Sequence, residues 1–279
     1  MSNECFRKYK DIHAGERAFM VANGPSLSDT DLNLIKDEIS FGMNRVPLIY
    51  DKNSDWRPTY YVFSSTNVLN PEWGAAWTES VQQAVSEDTT TSFVAAQFKN
   101  AIDPRDKYRQ INWFAHMSET KPPMSGDISQ TCFSRDVVQR IDKTGTTMNL
   151  ALQLAYHMGI TEIVFVGADL GFTADRGSKN DPNHFDKSYR ADIPAQKIYK
   201  INNQMRNVHS LALKNFLERD PNVKFYNASL QTNLDVYPII DYKSYVLCDK
   251  ITHREQDLEA AHKNWDKPPQ YESLTNWRE

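Results

Sequence analysis

The sequence predicts an α/β fold built on a doubly wound, mostly parallel sheet with helices on both faces. Short apolar segments alternate along the chain with segments of helical spacing, which is typical of that class. The most apolar segment, residues 162–168, has the composition of a strand covered on both faces of a parallel sheet. Small polar residues follow several strands, where such sheets bind their ligands. Together these features indicate a Rossmann-like domain.

Each predicted strand is a short apolar run bounded by glycine, proline or small polar residues. The first is residues 18–22, which stop abruptly at an Asn-Gly-Pro-Ser turn. The others are residues 39–43, 59–63, 92–97, 111–117, 162–168 and 223–227. We therefore expect the sheet to contain these segments as its strands.

Three segments have the spacing of apolar residues that predicts a helix. Residues 29–38 carry an apolar stripe after the first strand, and residues 195–218 form a longer helical segment near the end of the fold. The clearest is 146–158, where Thr144 is placed to cap the helix and Gly159 to end it.

The length of 279 residues fits one large domain or two small ones. We predict a single nucleotide-binding transferase domain over residues 1–249, followed by a charged tail at 250–279. Residues 100–142 are less regular, because Pro122-Pro123 and Gly126 interrupt them. Long irregular connections in compact domains are often functional, so this region is a candidate lid.

Composition excludes several classes of function. With 32 basic and 36 acidic residues the net charge is -4, which gives no bulk attraction to nucleic acid or to an anionic membrane. The three cysteines are far apart and lack metal-binding or disulfide spacing. Neither an apolar signal sequence nor a run of about 18 apolar residues occurs. We expect a soluble cytoplasmic protein without a transmembrane segment or a metal site, and homo-oligomerisation stays open.

The candidate site is a set of small polar residues that directly follow the predicted strands. Because the carboxyl ends of parallel strands meet at one edge, these residues are expected to hold a nucleotide together. Glycine lets the backbone approach a ligand, and a serine hydroxyl near a helix start favours an anion. The set comprises Asn23, Gly24, Pro25, Ser26, Asn44, Arg45, Ser64, Ser65 and Asp169.

Two further features of this edge point to an anionic ligand. In Thr144-Gly145-Thr146-Thr147, hydroxyls flank a glycine at a helix start, which favours a phosphate. Asp169 closes an apolar strand, where an unpaired carboxylate is costly. Three roles stay open for it: binding a ligand hydroxyl, coordinating a divalent ion, or capping the next loop.

His184 is the best candidate for a general base. Imidazole titrates near neutral pH, and Asp186 or Tyr189 could orient the ring. Tyr189 is therefore included with the ligand-binding residues.

Six motifs occur together in this chain. They are MVANGPSL (20–27), ISFGMNR (39–45), WRPTYYV (56–62), TGTTMNLALQLAYHMGITEIVFVGADLGF (144–172), HFDKSY (184–189) and FYNASLQTNLDVYPIIDY (225–242). In this order they resemble the MptE-like domain family over about residues 16–246. That family includes archaeal hydroxymethyl-dihydropterin diphosphokinases and many bacterial proteins of surface-glycan gene clusters.

The NGPSL turn, the asparagine after the second strand, the glycine-centred helix start and the strand ending in Gly-x-Asp carry a second resemblance. They are similar to the small bacterial sialyltransferases of glycosyltransferase family 42, which use a CMP-activated nonulosonic sugar without needing a metal. This likeness implies donor contacts by Asn23, Gly24, Ser26, Asn44, Thr146 and Asp169. The histidine base of those enzymes has no ungapped counterpart here, so the role of His184 is our own inference.

These observations predict a nucleotide-dependent transferase. The favoured interpretation is a glycosyltransferase that moves a sialic-acid-like sugar from CMP to a glycan acceptor, with catalytic roles for His184 and Asp169 and no cofactor. The alternative is a diphosphokinase acting on a hydroxymethyl-dihydropterin or a related alcohol, with ATP in the cleft and Mg²⁺ held with the help of Asp169. A third interpretation, a nucleotide-binding assembly module, explains the polar strand ends less well. A metal requirement distinguishes the two enzymes.

Overall fold

The computed structural model describes residues 3–102, 111–115, 132–142, 146–170, 182–190 and 199–248. Within them, seven parallel strands form one sheet. The strands are β1 Arg17–Val21, β2 Ser40–Met43, β3 Tyr60–Phe63, β4 Thr91–Ala95, β5 Ile111–Phe114, β6 Glu162–Val166 and β7 Lys224–Asn227. The α/β fold with a parallel sheet is thereby confirmed.

The strand order, β5-β4-β3-β2-β1-β6-β7, reverses direction between β1 and β6. The chain builds the sheet outward from β1 to β5 and then returns to add β6 and β7 on the other side. Val21 pairs with Val166, so β1 and β6 end at the same level. Connections leave such a switch point in opposite directions, which opens a crevice at the carboxyl ends of the strands.

Five α-helices accompany the sheet in the part of the chain that the structure describes. They are α1 Gly74–Val85, α2 Lys99–Ile102, α3 Thr147–His157, α4 Tyr199–Arg219 and α5 Tyr242–Cys248. Helix α3 packs against β2 and β3, whereas α1 packs against β3 and β4. All residues of β2 and β3 are buried, so both faces of the sheet are covered there, as its apolar composition requires.

Aromatic side chains fill much of the core. On β1, β2 and β4, Phe19, Phe41 and Phe93 are completely buried. Around β6 and β7, the ring of Phe225 lies 5.0 Å from Phe216 of α4 and 5.1 Å from Tyr237. Burial of each such ring stabilises the fold by about 1.5–3 kcal/mol, and the contacts fix α4 against this half of the sheet.

The predicted strands are confirmed, with ends that shift by up to three residues. The helix predicted at 29–38 is wrong, because the chain forms two 3-10 helices instead, Pro25–Asp29 and Leu32–Ile35. Between them Thr30 Oγ1 donates to the carbonyl of Ser26 at 3.0 Å, and Asp31 Oδ1 accepts from the Asn33 amide at 3.1 Å. Such local bonds compete with a continuous α-helix.

The other two predicted helices are confirmed as α3 and α4. Thr146 caps α3 by accepting from the Met148 amide, and Gly159 follows the helix with a φ of +83°. Thr144, predicted to be the cap, lies outside the described residues, as do most of the candidate lid and the tail. Helices α1, α2 and α5 were not predicted. Over the described part of the chain, no helix is long and apolar enough to cross a membrane.

Candidate functional site

A cleft lies at the carboxyl ends of β1, β2 and β6, where the strand order reverses. The loops after these strands, the start of α3, residues 183–189 and the side of α4 contribute to its wall. Eight predicted site residues line it: Asn23, Gly24, Pro25, Asn44, Thr146, Asp169, His184 and Tyr189. The structure thus brings together residues that are far apart in the sequence.

Ser26 and Asp169 tie the loop after β1 to the loop after β6. The Ser26 backbone amide donates to Asp169 Oδ2 at 2.6 Å, and the Ser26 hydroxyl donates to Asp169 Oδ1. Burial raises the pKa of Asp169, whereas the two hydrogen bonds from Ser26 act in the opposite direction. The carboxylate therefore holds the two loops together while it borders the cleft.

Gly24 permits the close approach of these two loops. Its amide donates to the carbonyl of Gly167 at 2.8 Å. A Cβ atom at position 24 would lie 2.6 Å from both Asp169 Oδ2 and that carbonyl oxygen. The φ of Gly24 is -72°, which any residue adopts, so glycine is required here for space and not for its torsion angle.

Asn44 joins the end of β2 to the start of α3. It adopts a positive φ of +53°, which asparagine tolerates better than most residues. Its Oδ1 accepts from the Thr147 hydroxyl at 3.0 Å, and its carbonyl accepts from the Tyr61 hydroxyl at 2.5 Å. These bonds bring the amino end of α3 to the cleft, where Thr146 lines the wall.

Asn23 presents a buried polar atom at the cleft. Its Nδ2 donates to the carbonyl of Met43 at 3.3 Å, which connects the loops after β1 and β2. Its Oδ1 is buried and has no hydrogen-bond partner among the residues that the structure describes. An acceptor of this kind gains a partner when a ligand with a hydrogen-bond donor binds.

The ring of His184 stacks on Tyr189, with centroids 4.0 Å apart and planes 5° apart. Tyr189 is buried, and burial raises its pKa to about 12, so its hydroxyl is neutral. Asp186, the other predicted orienting residue, accepts from the amide and hydroxyl of Ser188 through Oδ1. Stacking on Tyr189 is therefore a contact that orients His184 at the cleft.

Arg45 does not line the described wall of the cleft, although it was predicted as a ligand contact. Its side chain is buried and donates to the carbonyls of Ser188 at 3.0 Å and Tyr189 at 2.8 Å. It also donates to Ser80 Oγ at 3.1 Å. The guanidinium thus fixes the segment that carries His184.

Four other predicted residues also lie away from the described wall. Ser64 is fully buried, and Ser65 caps a short 3-10 helix by accepting from the Asn67 amide at 3.3 Å. Ser26 and Thr147 stand just behind the wall and bond to Asp169 and Asn44, as described above. Thr144 and Gly145 lie outside the described residues. Sequence order alone could not separate the residues that border the cleft from those behind it.

The loop after β7 supports the site and was not predicted to do so. Thr232 Oγ1 donates to the Ala168 carbonyl at 2.8 Å, and the Asn233 amide donates to the Asp169 carbonyl at 2.7 Å. The Ala168 amide in turn donates to Ser229 Oγ at 2.8 Å. These bonds hold the backbone that carries Asp169. The run of small polar residues after β7 was the available signal.

His209 of α4 also lines the cleft and was not predicted as a site residue. It is 5% exposed, and its Nδ1 lies 3.0 Å from the Tyr237 hydroxyl. Burial lowers its pKa to about 3, so the ring is neutral near pH 7. No sequence signal marked it, because a histidine within a helical segment is more often structural.

Acidic and basic groups at the cleft do not gather into a metal site in the described residues, where no three His, Cys, Asp or Glu side chains could hold an ion. The site is thus a cleft at the switch point of a Rossmann-like sheet, lined by apolar side chains such as Met43, Met148 and Leu234 as well as by polar groups. Its polar groups are amides, hydroxyls, a carboxylate and two imidazoles.

No family model matches the chain, and no curated protein matches it significantly. Membership of the MptE-like family therefore stays a prediction. Among solved structures, the chain is similar to the MAf glycosyltransferase from Magnetospirillum magneticum AMB-1, with 18% identity and a TM-score of 0.49. That match covers 95% of this chain but 44% of the other, so the chain spans less than half of that protein's length.

A second solved structure is the sialyltransferase CstII from Campylobacter jejuni in complex with a substrate analogue, cytidine-5'-monophosphate. It has 16% identity and a TM-score of 0.42, covering 80% of this chain and 84% of the other. Likenesses of this size carry no conclusion about activity.

Proposed function

We propose that this protein is a glycosyltransferase that uses a CMP-activated, sialic-acid-like sugar to build a surface glycan. The observation that carries the proposal is the cleft at the β1/β6 switch point. There the Asn-Gly-Pro-Ser loop is fastened to the strand-end Asp169, and His184 faces the same space. The resemblance of these motifs to family 42 sialyltransferases favours CMP over other nucleotides.

The groups around the cleft suit a nucleotide monophosphate ester. The amino end of α3 presents the positive end of a helix dipole, which favours a phosphate. Asn23 Oδ1 offers an unpartnered acceptor to a donor group on the base or sugar. Many modest hydrogen bonds of this kind fix the orientation of a small ligand.

In the proposed reaction, an acceptor hydroxyl attacks the anomeric carbon of the donor sugar. His184 takes the proton from that hydroxyl as the new carbon–oxygen bond forms. The bond between the anomeric carbon and the phosphate oxygen breaks, and CMP leaves with the electron pair. The positive end of the α3 dipole stabilises the charge that develops on the departing phosphate.

Tyr189 and Arg45 position the base in this proposal. The Tyr189 ring supports one face of His184, and Arg45 holds the backbone of Ser188 and Tyr189. A base whose orientation is fixed before substrate arrives loses little entropy in the transition state.

A thermal-shift panel tests the choice of ligand. The panel contains CMP, CMP-sialic acid, UDP, GDP and ATP, each with Mg²⁺ and with EDTA. A ligand at about 100 times its Kd stabilises the folded state by about 2.7 kcal/mol, which is readily measured. We expect stabilisation by CMP and CMP-sialic acid that persists in EDTA. If ATP is the one ligand that stabilises the protein, and does so with Mg²⁺ but not with EDTA, the proposal is overturned in favour of a diphosphokinase.

Replacement of the base tests the mechanism. We expect His184→Ala to reduce kcat by about 10²–10⁴-fold while CMP still raises the melting temperature. His13→Gln is the matched control. His13 contacts Tyr60 at the beginning of β3, at the opposite edge of the sheet, so its replacement should leave transfer intact. Full activity in His184→Ala would remove the histidine from the mechanism.

A further inference from the structure

His209 reaches the cleft from α4, on a part of the wall that none of the predicted residues occupies. Its ring lines the cleft, and its Nδ1 is paired with the Tyr237 hydroxyl at 3.0 Å. Nδ1 is the ring nitrogen that has a partner among the described residues. Nε2 is then the nitrogen that remains for a molecule in the cleft.

The surroundings of this histidine are rigid. Tyr237 is fully buried and stacks on Phe165 of β6, with centroids 4.7 Å apart. The rings of Phe165 and His209 also pack in a T-shaped arrangement, with their centroids 5.1 Å apart. Arg206, one turn earlier on α4, pairs with Asp235 at 2.7 Å and fastens the helix to the loop that leads to Tyr237. The imidazole is thus held in place before any ligand binds.

The hydrogen-bond network around Tyr237 assigns the tautomer of His209. The Tyr237 hydroxyl has one proton and lies 3.2 Å from the His209 carbonyl oxygen and 3.0 Å from Nδ1. Both contacts are hydrogen bonds only if the hydroxyl donates to the carbonyl oxygen and accepts from Nδ1, so we assign the ring proton to Nδ1. Since a neutral imidazole has a single N–H, Nε2 is left as a hydrogen-bond acceptor.

We propose that His209 Nε2 accepts a hydrogen bond from a hydroxyl or amino group of the nucleotide or nucleotide sugar bound in the cleft. This inference rests on the proposed function, because it requires such a ligand. The phosphate is not the partner, since an ionised phosphate ester has no proton to donate. His209 therefore contributes to the choice of ligand and differs from His184, which takes the proton in the reaction.

The environment of His209 favours this role over proton transfer. Met205 and Leu234 line the cleft beside it, and Phe165 packs on its ring. Burial among such groups holds the imidazole in its neutral form. The ring is then a weak base, but Nε2 can still accept a hydrogen bond. A buried acceptor left without its partner is costly, so a site of this kind rejects ligands that lack the donor group.

Binding measurements with CMP and close relatives of it test the inference. The ligands are CMP, 2′-deoxy-CMP, 3′-deoxy-CMP, UMP and CMP-sialic acid, and the proteins are wild type, His209→Phe and His209→Gln. We expect wild type to disfavour one analogue by about tenfold, the one that lacks the donor group. His209→Phe should weaken the parent ligand by a similar factor and lose the discrimination. His209→Gln retains an acceptor and should recover part of the affinity.

The analogues identify the partner group on the ligand. A loss with a deoxy analogue assigns a ribose hydroxyl, and a loss with UMP assigns the amino group of cytosine. If His209→Phe weakens CMP-sialic acid but leaves CMP unchanged, the partner is a hydroxyl of the donor sugar. Thermal unfolding of each variant without ligand shows whether it retains the wild-type fold.

A spectroscopic experiment observes the His209 ring directly in the wild-type protein. Nitrogen-15 spectra of the histidine rings should show His209 with Nδ1 protonated and Nε2 unprotonated, assigned by comparison with His209→Gln. Addition of CMP or CMP-sialic acid should shift the Nε2 signal. A protonated Nε2 in the free protein would overturn the inference.

The outcomes distinguish this inference from the proposed function. If wild type binds CMP and CMP-sialic acid, and His209→Phe binds both equally well, the inference is wrong while the proposed function stands. The inference is also wrong if His209→Phe weakens every ligand alike and wild type discriminates against none. If wild type binds none of these nucleotides, the proposed function is wrong, and this inference is overturned with it.

Discussion

Ser26, Gly24 and Asp169 show how single residues shape the cleft. Two donors from Ser26 satisfy the oxygens of a carboxylate that is 7% exposed, which offsets part of its desolvation. The absence of a side chain at Gly24 leaves the space in which this pair forms. The site therefore depends on the space that the absence of a side chain at Gly24 leaves.

We expect Gly24→Ala to destabilise the free protein by about 1–3 kcal/mol and to abolish stabilisation by CMP. The new Cβ would lie 2.6 Å from both Asp169 Oδ2 and the Gly167 carbonyl, which forces the loops after β1 and β6 apart. Urea unfolding and a thermal shift with CMP measure the two effects. Ser28→Ala lies on the 3-10 helix Pro25–Asp29 that follows Gly24 and is the control. It should change neither the stability nor the thermal shift with CMP. Retention of both properties in Gly24→Ala would contradict this account of the cleft.

His209 gives the protein a predictable sensitivity to acid. Its pKa is about 3 in the folded state and 6.5 ordinarily, because burial disfavours the charged ring. Between these values the unfolded state binds the extra proton, so stability present above pH 6.5 is lost as the pH falls toward 3. The loss from this one group has a slope of up to about 1.4 kcal/mol per pH unit.

Urea unfolding from pH 7 to pH 4 measures this loss. His209→Gln removes the titrating group, so its stability should fall less steeply than that of wild type over the same range. His13→Gln serves as the comparison, because it removes a histidine that is only partly buried. Parallel curves for wild type and His209→Gln would show that another group governs the acid sensitivity.

At the scale of elements, helix α3 forms hydrogen bonds that hold the segment preceding it in the chain. Gln153, fully buried on this helix, accepts through Oε1 from the amides of Ser134 at 3.0 Å and Asp142 at 2.9 Å. Its Nε2 donates to the Asp142 carbonyl at 2.7 Å. One side chain thus satisfies three backbone groups of residues 132–142.

We expect Gln153→Leu to destabilise the protein by at least about 2 kcal/mol, because buried backbone groups lose their partners. Limited proteolysis should then cut within residues 132–142 faster than in wild type. Gln83→Leu, on the exposed side of α1, is the matched control and should leave both measurements near their wild-type values. If Gln153→Leu unfolds at the wild-type urea concentration, water replaces the missing bonds.

The strands were predictable because their apolar composition indicates burial. Residues 163–168 are apolar, and β6 lies inside the sheet, between β1 and β7. The segment 29–38 misled the prediction, since Thr30 and Asp31 bond to nearby backbone and break the helix into two 3-10 turns. Helix α1 was missed even though Trp77 and Val81 form a buried stripe at helical spacing.

The candidate site was predictable as far as parallel topology dictates it. Asn23, Asn44 and Asp169 meet in one cleft because each follows a strand that ends at the same edge. The rule does not say which strand-end residue faces inward, so Arg45 and Ser64 were assigned to the ligand although they are buried elsewhere. His209 was missed because the packing of α4 on β6, which brings it to the cleft, has no local signature.

At the scale of the whole molecule, the cleft sits where the two halves of the sheet join. β1 and β6 pair along their full lengths, from Arg17 with Glu162 to Val21 with Val166. One wall of the cleft is formed by the half that contains β2, and the other by the half that contains β6, with the support of α4 and the loop after β7. A ligand in the cleft therefore contacts both halves.

Hydrogen exchange should show this arrangement directly. We expect CMP to slow amide exchange in four separated segments, residues 22–27, 43–46, 167–170 and 182–190, because a bound ligand suppresses the local opening of each loop. Peptides from α5, which packs on the 3-10 helix Leu32–Ile35, should not change. Exchange followed by mass spectrometry, with and without saturating CMP, makes the comparison. Protection confined to one half of the sheet, or centred away from these loops, would place the ligand outside the β1/β6 cleft. Protection in all four would mean that a single small molecule joins segments separated by more than a hundred residues, which only a site at the switch point allows.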